Sequence, residues 1–278
     1  MSFTQTSQES GPPPSPPQAA APEPQQARRR RSVSSVQSVP GTYILLGLNI
    51  AVFLWMVAHG VDARMPSERA LIHYGANDTW LVLHGQWYRL ITAMFVHVGI
   101  VHLAGNMWCL WNLGILGEPL LGPLGVIAVY LITGIAGNLL SMATNVVAFH
   151  WTRDVSFLYT PGAGASGAVF GIAGILIVLL SNRRLPFPWQ ELKRLRSSVV
   201  KFSLINLAIG VSTMFVNFGI RIDNSAHIGG FLSGLAMGVP LVPWMTAGRE
   251  RYLNRQKATF AAACLVLALF GFWIANLL

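Results

Sequence analysis

Charge is scarce in this sequence. Only 10% of its 278 residues are Asp, Glu, Lys or Arg, while 53% are hydrophobic; soluble domains carry about 25% charged residues. With a mean hydropathy of +0.51, an ordinary soluble domain is excluded and a polytopic helical membrane protein is indicated. Cysteine is scarcer still. Cys109 and Cys264 both fall inside apolar runs, which excludes a disulfide scaffold and a cysteine-rich metal site. No His-Glu-x-x-His motif occurs, so the helical zinc-hydrolase pattern is missing. His97 and His102 have no third metal ligand nearby in the chain. Intramembrane carboxylates are also lacking: Asp62, Glu68, Asp78, Asp154 and Asp223 fall on one side of the apolar spans, and Glu118, Glu191 and Glu250 on the other. That disfavours an aspartate-pair hydrolase and a transporter, which would line a path with such groups. The net charge of +9 could suit nucleic acid, but the basic residues flank apolar spans instead of forming a stripe with interleaved aromatics.

What is present divides into regions. Residues 1–40 hold eight of the sixteen prolines, with many Gln and Ser and almost no large apolar side chains. Such a segment cannot bury enough surface to offset its ordering entropy, so a disordered tail is expected. No apolar run follows a short basic start, so no cleavable signal pattern is read there. Seven apolar stretches follow, near 43–61, 100–117, 122–145, 164–181, 199–218, 225–245 and 258–277, each close to the roughly 20 residues a spanning helix needs. The mixed segment 62–99, with Trp80, Trp87, Tyr88, Arg89 and His97, is too apolar for a free loop and should lie in or on the interface. Lys and Arg fix the orientation. With the tail and Arg28 to Arg31 in the cytoplasm, fourteen of the nineteen basic residues fall inside and five outside. Seven spans then put the C-terminus outside.

Polar groups at membrane depth are costly, and by default they line an interior or carry function. His102 and Asn106, four apart, share one face of the second span. Ser166 sits in Gly164-Ala165-Ser166-Gly167 at the start of the fourth, and His227 in Ala226-His227-Ile228-Gly229-Gly230 at the start of the sixth. Each alone has a plain reading: a helix-packing motif around Ser166, an interfacial histidine at His227, and an interhelical hydrogen-bond pair at His102 and Asn106. Together they supply a nucleophile, a base and oxyanion donors, the set that peptide hydrolysis needs. The backbone N–H of Ser166, at a helix N-terminus, adds a donor. Gly167 with Gly171, and Gly230 with Gly234, give two small-residue faces that let the fourth and sixth helices approach closely enough for a short serine to reach a histidine. If the fourth helix ends near Ser181, Ser166 lies roughly 22 Å from the cytoplasmic end of a core about 30 Å thick. A water-filled cavity open to the outside is therefore expected, with Tyr159 to Ala163 as a loop dipping into it.

These residues resemble the rhomboid intramembrane serine proteases over about residues 40–245. Gly164 to Gly167 matches the family's GxSG motif, with Ser166 as nucleophile. Ala226 to Gly234 matches its AHxxGxxxG pattern, with His227 as base. His102 and Asn106 match its HxxxN, which the resemblance assigns to the oxyanion hole. Tyr88-Arg89 stands where the family has Trp-Arg, and His97 matches a structural histidine. Phe170 stands where a tyrosine often stacks on the catalytic histidine. Gly164, Gly167, Phe170, Gly230, Gly234, Tyr88 and Arg89 are thus expected to support the site.

The resemblance implies an all-α membrane bundle: a six-helix core over 41–246, then a linker and a seventh helix over 247–278. It also implies a Ser–His dyad without cofactor or metal that cleaves single-pass membrane proteins in or near the bilayer, after a small residue. The partners expected are transmembrane substrates and lipid, not nucleic acid. A bacterial cytoplasmic membrane is the expected location, and the substrate gate is expected between the second and fifth spans, near Trp108, Phe202 and Phe215. The rival is a catalytically inactive rhomboid-like protein that binds or escorts membrane clients; it would lack or spoil the dyad, whereas Ser166 and His227 are both present.

Overall fold

The computed structural model describes residues 39–212 and 222–277. The Pro-rich tail with Arg28 to Arg31, and Phe215, lie outside the described residues. The chain is all-α, built from α1 (Pro40–Ala58), α2 (Glu68–His73), α3 (Thr79–Leu83), α4 (Arg89–Thr92), α5 (Ile100–Leu121), α6 (Pro123–Thr152), α7 (Ser166–Leu179), α8 (Trp189–Ser212), α9 (Asn224–Gly238) and α10 (Arg249–Ala275). Among the described residues no strand forms; Asn77 and Gly162 make one isolated antiparallel bridge.

The seven apolar stretches become α1 and α5 to α10, in the expected order. Four of them, α1, α6, α8 and α10, are long and apolar enough to cross a membrane unaided. The helices α7 and α9 are shorter than the stretches read from hydropathy, with 14 and 15 residues, or about 21 and 22 Å at 1.5 Å per residue. Helix α7 begins two residues late because Gly164, just before it, has φ +127°. Helix α9 begins near its expected start, with Asp223 as N-cap accepting from the Ala226 N–H at 3.0 Å, but ends at Gly238, ahead of Pro240 and the separate short turn Val242–Trp244.

Helix α6 is the central post. Its 30 residues pack against α1, α5, α7, α9 and α10. The turn into it is minimal: Gly122 adopts φ 76°, which favours glycine, and Pro123 starts the helix with a preset φ. The main core cluster joins α1, α5, α6, α7 and α9 around Leu110, Val126, Val129, Ile172, Ile175 and Leu176.

Buried polar groups tie the helices together. Helix α1 has no side-chain cap of its own. Glu118, placed between spans on sequence grounds, instead lies inside α5 at 2% exposure. The reason is a donor set that hydropathy cannot see: its carboxylate accepts from the N–H groups of Gly41 (2.9 Å) and Thr42 (2.7 Å) and from the Thr42 hydroxyl (2.7 Å). A carboxylate at a helix N-terminus also meets the favourable end of the helix dipole. Asn49 of α1 donates to the Tyr130 hydroxyl of α6 at 3.0 Å, and that hydroxyl lies 3.2 Å from the Met94 carbonyl.

Removing the Glu118 carboxylate would strand two buried N–H groups, each costing about 1–3 kcal/mol. Glu118→Ala is expected to destabilise the protein by about 3 kcal/mol, and Glu118→Gln by less because one acceptor oxygen stays. Unfolding in detergent micelles measures both.

Candidate active site

The nucleophile candidate is placed by a loop whose backbone is pinned at three points. Asn77 and Gly162 exchange N–H···O=C bonds of 2.7 and 2.8 Å, and the Gly164 N–H donates to the Ala93 carbonyl at 2.9 Å. His97, fully buried, lies 3.2 Å from the Phe95 carbonyl through Nδ1, and its Nε2 accepts from the Ala165 N–H at 3.4 Å. These two contacts agree on one tautomer, with the proton on Nδ1. Ser166 then opens α7 as its first residue. Gly164 is required twice over: its φ of +127° lies where side chains are strained, and a Cβ there would come 2.5 Å from Cε1 of His102. The His102 imidazole is thus laid against the backbone two residues before Ser166.

His227 lies one turn into α9, 4% exposed. Its ring stacks on Phe170 of α7 at 4.4 Å between centroids and 15° between planes. Phe170 follows Ser166 by four residues, so both occupy the same face of α7. Among the described residues, Nδ1 of His227 and Nδ1 of His102 are buried without a hydrogen-bond partner. Among the described residues the His227 ring rests on the Phe170 face, and its Nδ1 has no carboxylate partner.

The two helices meet backbone to backbone. A methyl group added at Gly230 would run into the carbonyl of Gly167, one at Gly234 into the carbonyl of Gly171, and one at Gly174 into the carbonyl of Phe231. Gly137 of α6 faces the Ala226 carbonyl in the same way, 2.6 Å from where its Cβ would be. The small-residue faces read from the sequence are therefore in direct contact with one another.

A cavity of about 50 Å³ sits at this junction, lined among others by Ser166, Gly167, His102, Met94, Asn138 and Asp223. That is room for water, not for a peptide. Of the residues singled out in the sequence, Gly164, Ser166, Gly167 and His102 line this cavity; α9 contributes Ala226 to the wall, and His227, the next residue, does not line it. Asn106 does not line it; its amide donates to the His102 carbonyl one turn back, at 3.0 Å. Tyr88 and Arg89 also lie apart. Arg89 is buried and donates to the carbonyls of Ile72 (2.7 Å) and Ala76 (3.0 Å) and to Gln86 (2.7 Å), so it holds α2 and α4 together. Trp108 is exposed and Phe202 packs half-buried on the core.

Sequence reasoning missed Asn138 and Asp223. Asn138 donates to the Leu90 carbonyl at 2.9 Å. Asp223 had a legible signal, an acidic residue just before an apolar helix, which is an N-cap pattern. Among the described residues no three His, Cys, Asp or Glu side chains gather where a metal ion could be held.

Comparison with known proteins bears on the family. A family model for the Rhomboid domain matches residues 84–244. The chain is 33% identical over 204 residues to the rhomboid protease GluP of Bacillus subtilis, covering 72% of this chain and 35% of that protein, so it spans about a third of that relative's length. It is 31% identical over 248 residues to the rhomboid protease AarA of Providencia stuartii, covering 85% of this chain and 84% of that one. A RHOMBOID-like mitochondrial protein of Arabidopsis thaliana is 34% identical over 194 residues, 68% of this chain and 55% of that protein.

Because the Gly230 contact is with backbone, it cannot relax by a side chain turning. Gly230→Ala should destabilise the protein by about 1–3 kcal/mol and lower the reactivity of Ser166. Gly47→Ala, at a position where an added Cβ meets nothing within 4 Å, should leave both unchanged. Unfolding in micelles alongside labelling of Ser166 reads the two effects.

Proposed function

The chain belongs to the rhomboid family, whose characterised members are intramembrane serine proteases, and from that premise we propose that it is itself an intramembrane serine endopeptidase acting through Ser166 and His227. The observation that carries the reading is the α7–α9 contact. It sets Ser166, at the N-terminus of α7 and beside a water-sized cavity, against the segment of α9 that carries Ala226 and His227. In this reading the Ser166 hydroxyl attacks the carbonyl carbon of the scissile peptide while His227 takes its proton. The negative charge moves to the carbonyl oxygen, which collapses back as the imidazolium hands its proton to the departing amine. Water, activated by the neutral His227, then hydrolyses the acyl ester and frees Ser166.

Oxyanion donors are proposed from three sources. The backbone N–H of Ser166 lies in the first turn of α7, where N–H groups have no partner inside the helix. His102 lines the cavity. Asn106 keeps one amide hydrogen beyond the bond to the His102 carbonyl. Phe170 orients the His227 ring in place of a carboxylate. Gly164, Gly167, Gly230 and Gly234 support the dyad by close approach, and Tyr88 and Arg89 support the loop.

We also read residues 41–246 as the protease core, 247–278 as a linker plus the added seventh helix, and 1–40 as a cytoplasmic tail. The excess of basic residues on one side supports a cytoplasmic N-terminus and an outside C-terminus, and the bacterial relatives support a bacterial membrane. The substrates proposed are single-pass transmembrane proteins. A spanning helix hides its peptide bonds, so cleavage needs a stretch that unwinds at the cavity.

Fluorophosphonate labelling of the purified protein tests the reading without knowledge of a substrate. Wild type should label, and Ser166→Ala and His227→Ala should lose the reaction by about 10³-fold or more. Phe170→Ala should slow it by about 3- to 10-fold, matching the 0.5–1.5 kcal/mol of an aromatic stack, with Phe170→Tyr close to wild type. A folded wild type that does not label would sink the proposal in favour of an inactive rhomboid-like binder of membrane clients.

A further inference from the structure

A second cavity, of about 260 Å³, adjoins the one at Ser166, and the two share Gly162, Ile222 and Asp223 as walls. Its character is different. Ser141, Thr144 and Asn145 of α6, Thr160 of the loop, and Asp223 and Ser225 at the start of α9 face into it. The hydroxyls of Ser141, Thr144 and Thr160 donate to Asp223, the Ser141 carbonyl and the Ser156 carbonyl, which leaves their lone pairs as acceptors. The Thr144 and Ser225 hydroxyls lie 3.1 Å apart, and the Asn145 amide donates to Thr79 at 3.1 Å. Among the described residues no Lys, Arg or His lines the chamber, and Asp223 is the ionisable one that does.

Asp223 is held rigidly in this position. One carboxylate oxygen accepts from the Ala226 N–H at 3.0 Å, and the other accepts from the Ser141 hydroxyl. A carboxylate offers about four acceptor sites, so two remain for a donor in the chamber. Among the described residues no cation pairs with it. Asp223 also lies one helical turn before His227, which places the chamber beside the reaction centre.

We propose that this chamber is a substrate subsite for a basic side chain, Lys or Arg, near the cleaved bond, with Asp223 as its specificity-determining residue. The inference rests on the protease reading of Ser166 and His227. The chamber's volume takes a long side chain, and its hydroxyls and amide accept from an ammonium or guanidinium while Asp223 supplies the opposing charge. Charge-assisted bonds are about twice as strong as neutral ones, so the preference should be marked. An acidic side chain would meet like charge and find few donors.

The test uses the full chain in proteoliposomes with one single-pass model substrate, made with Lys, Gln or Glu at each position within four residues of the cleavage site. Wild type should cleave the Lys form at least about tenfold more efficiently than the Glu form at one or two positions. Asp223→Asn keeps an acceptor for Ala226 and a partner for Ser141 but removes the charge, and should bring that ratio to within about twofold. Adding Asn145→Asp to it returns a carboxylate to the same chamber and should restore a preference for Lys. The ratio is read within each enzyme, so a change in overall rate does not enter. Fluorophosphonate labelling runs in parallel. Labelled wild type with no preference at any position, or Asp223→Asn with the preference intact, overturns the subsite and leaves the protease reading standing. Neither labelling nor cleavage in folded protein overturns both.

Discussion

The structure depends on the contact between α7 and α9, where two backbones touch without side chains between them. Gly167 and Gly174 on one helix, and Gly230 and Gly234 on the other, each have a carbonyl oxygen of the facing helix in the space a Cβ would need. In lipid there is little hydrophobic drive to join helices, so close packing of small residues carries the association. The same closeness has a chemical consequence. Serine is short, and only helices in backbone contact let a serine on one meet a histidine on the other. The Phe170 ring stacks on the His227 imidazole next to this seam, and in the proposed reading it orients the base. One packing solution supplies both the fold's tightest joint and the geometry of its candidate reaction centre.

The joint would be useless if the loop leading to Ser166 wandered. Buried polar groups away from the site prevent that. Arg89 fastens α2 to α4 through the carbonyls of Ile72 and Ala76, and Tyr130 reaches from α6 to the Met94 carbonyl. The segment so fixed holds the next one: Ala93 takes the Gly164 N–H, Asn77 pairs with Gly162, and His97 takes the Ala165 N–H. At membrane depth every one of these groups would be costly unpaired. The requirement to satisfy them is what transmits rigidity from the first loop to the nucleophile.

Much of this was legible from residue types and spacing. Ser166, His227, His102 and the paired glycines stood out because polar and small residues are out of place in apolar spans unless they pack or react. Helix ends were less legible. Hydropathy suggests 164–181 and 225–245, while the helices run Ser166–Leu179 and Asn224–Gly238, because apolarity continues past the points where Gly164, at φ +127°, and Pro240 interrupt the helical backbone. Glu118 differs for a related reason: the apolar stretch stops at 117, yet Glu118 lies within α5 and caps the N-terminus of α1, while Asp223 lies before α9, as its place outside the spans implies, and caps it. Asn106 shows a different limit: spacing puts it on the His102 face, but only its rotamer reveals that its amide turns back to the His102 carbonyl.

The shortness of α7 and α9 bears on the chemistry. A helix of 14 or 15 residues leaves roughly 8–9 Å of a 30 Å hydrocarbon core uncovered. Lipid cannot fill a gap lined by backbone N–H and C=O groups; the space must hold protein loop or water. In the proposed orientation the loop through Gly162 and Gly164 and the cavity beside Ser166 fall in that space. Under the protease reading, this is where the water that hydrolysis consumes would be supplied. The cavity's small volume sets the remaining condition on that reading. A regular helix about 10 Å across cannot enter it, whereas an extended strand of the same chain needs far less width. A spanning substrate of the proposed kind would have to give up its helical hydrogen bonds near the cut, so the reading favours segments that unwind easily.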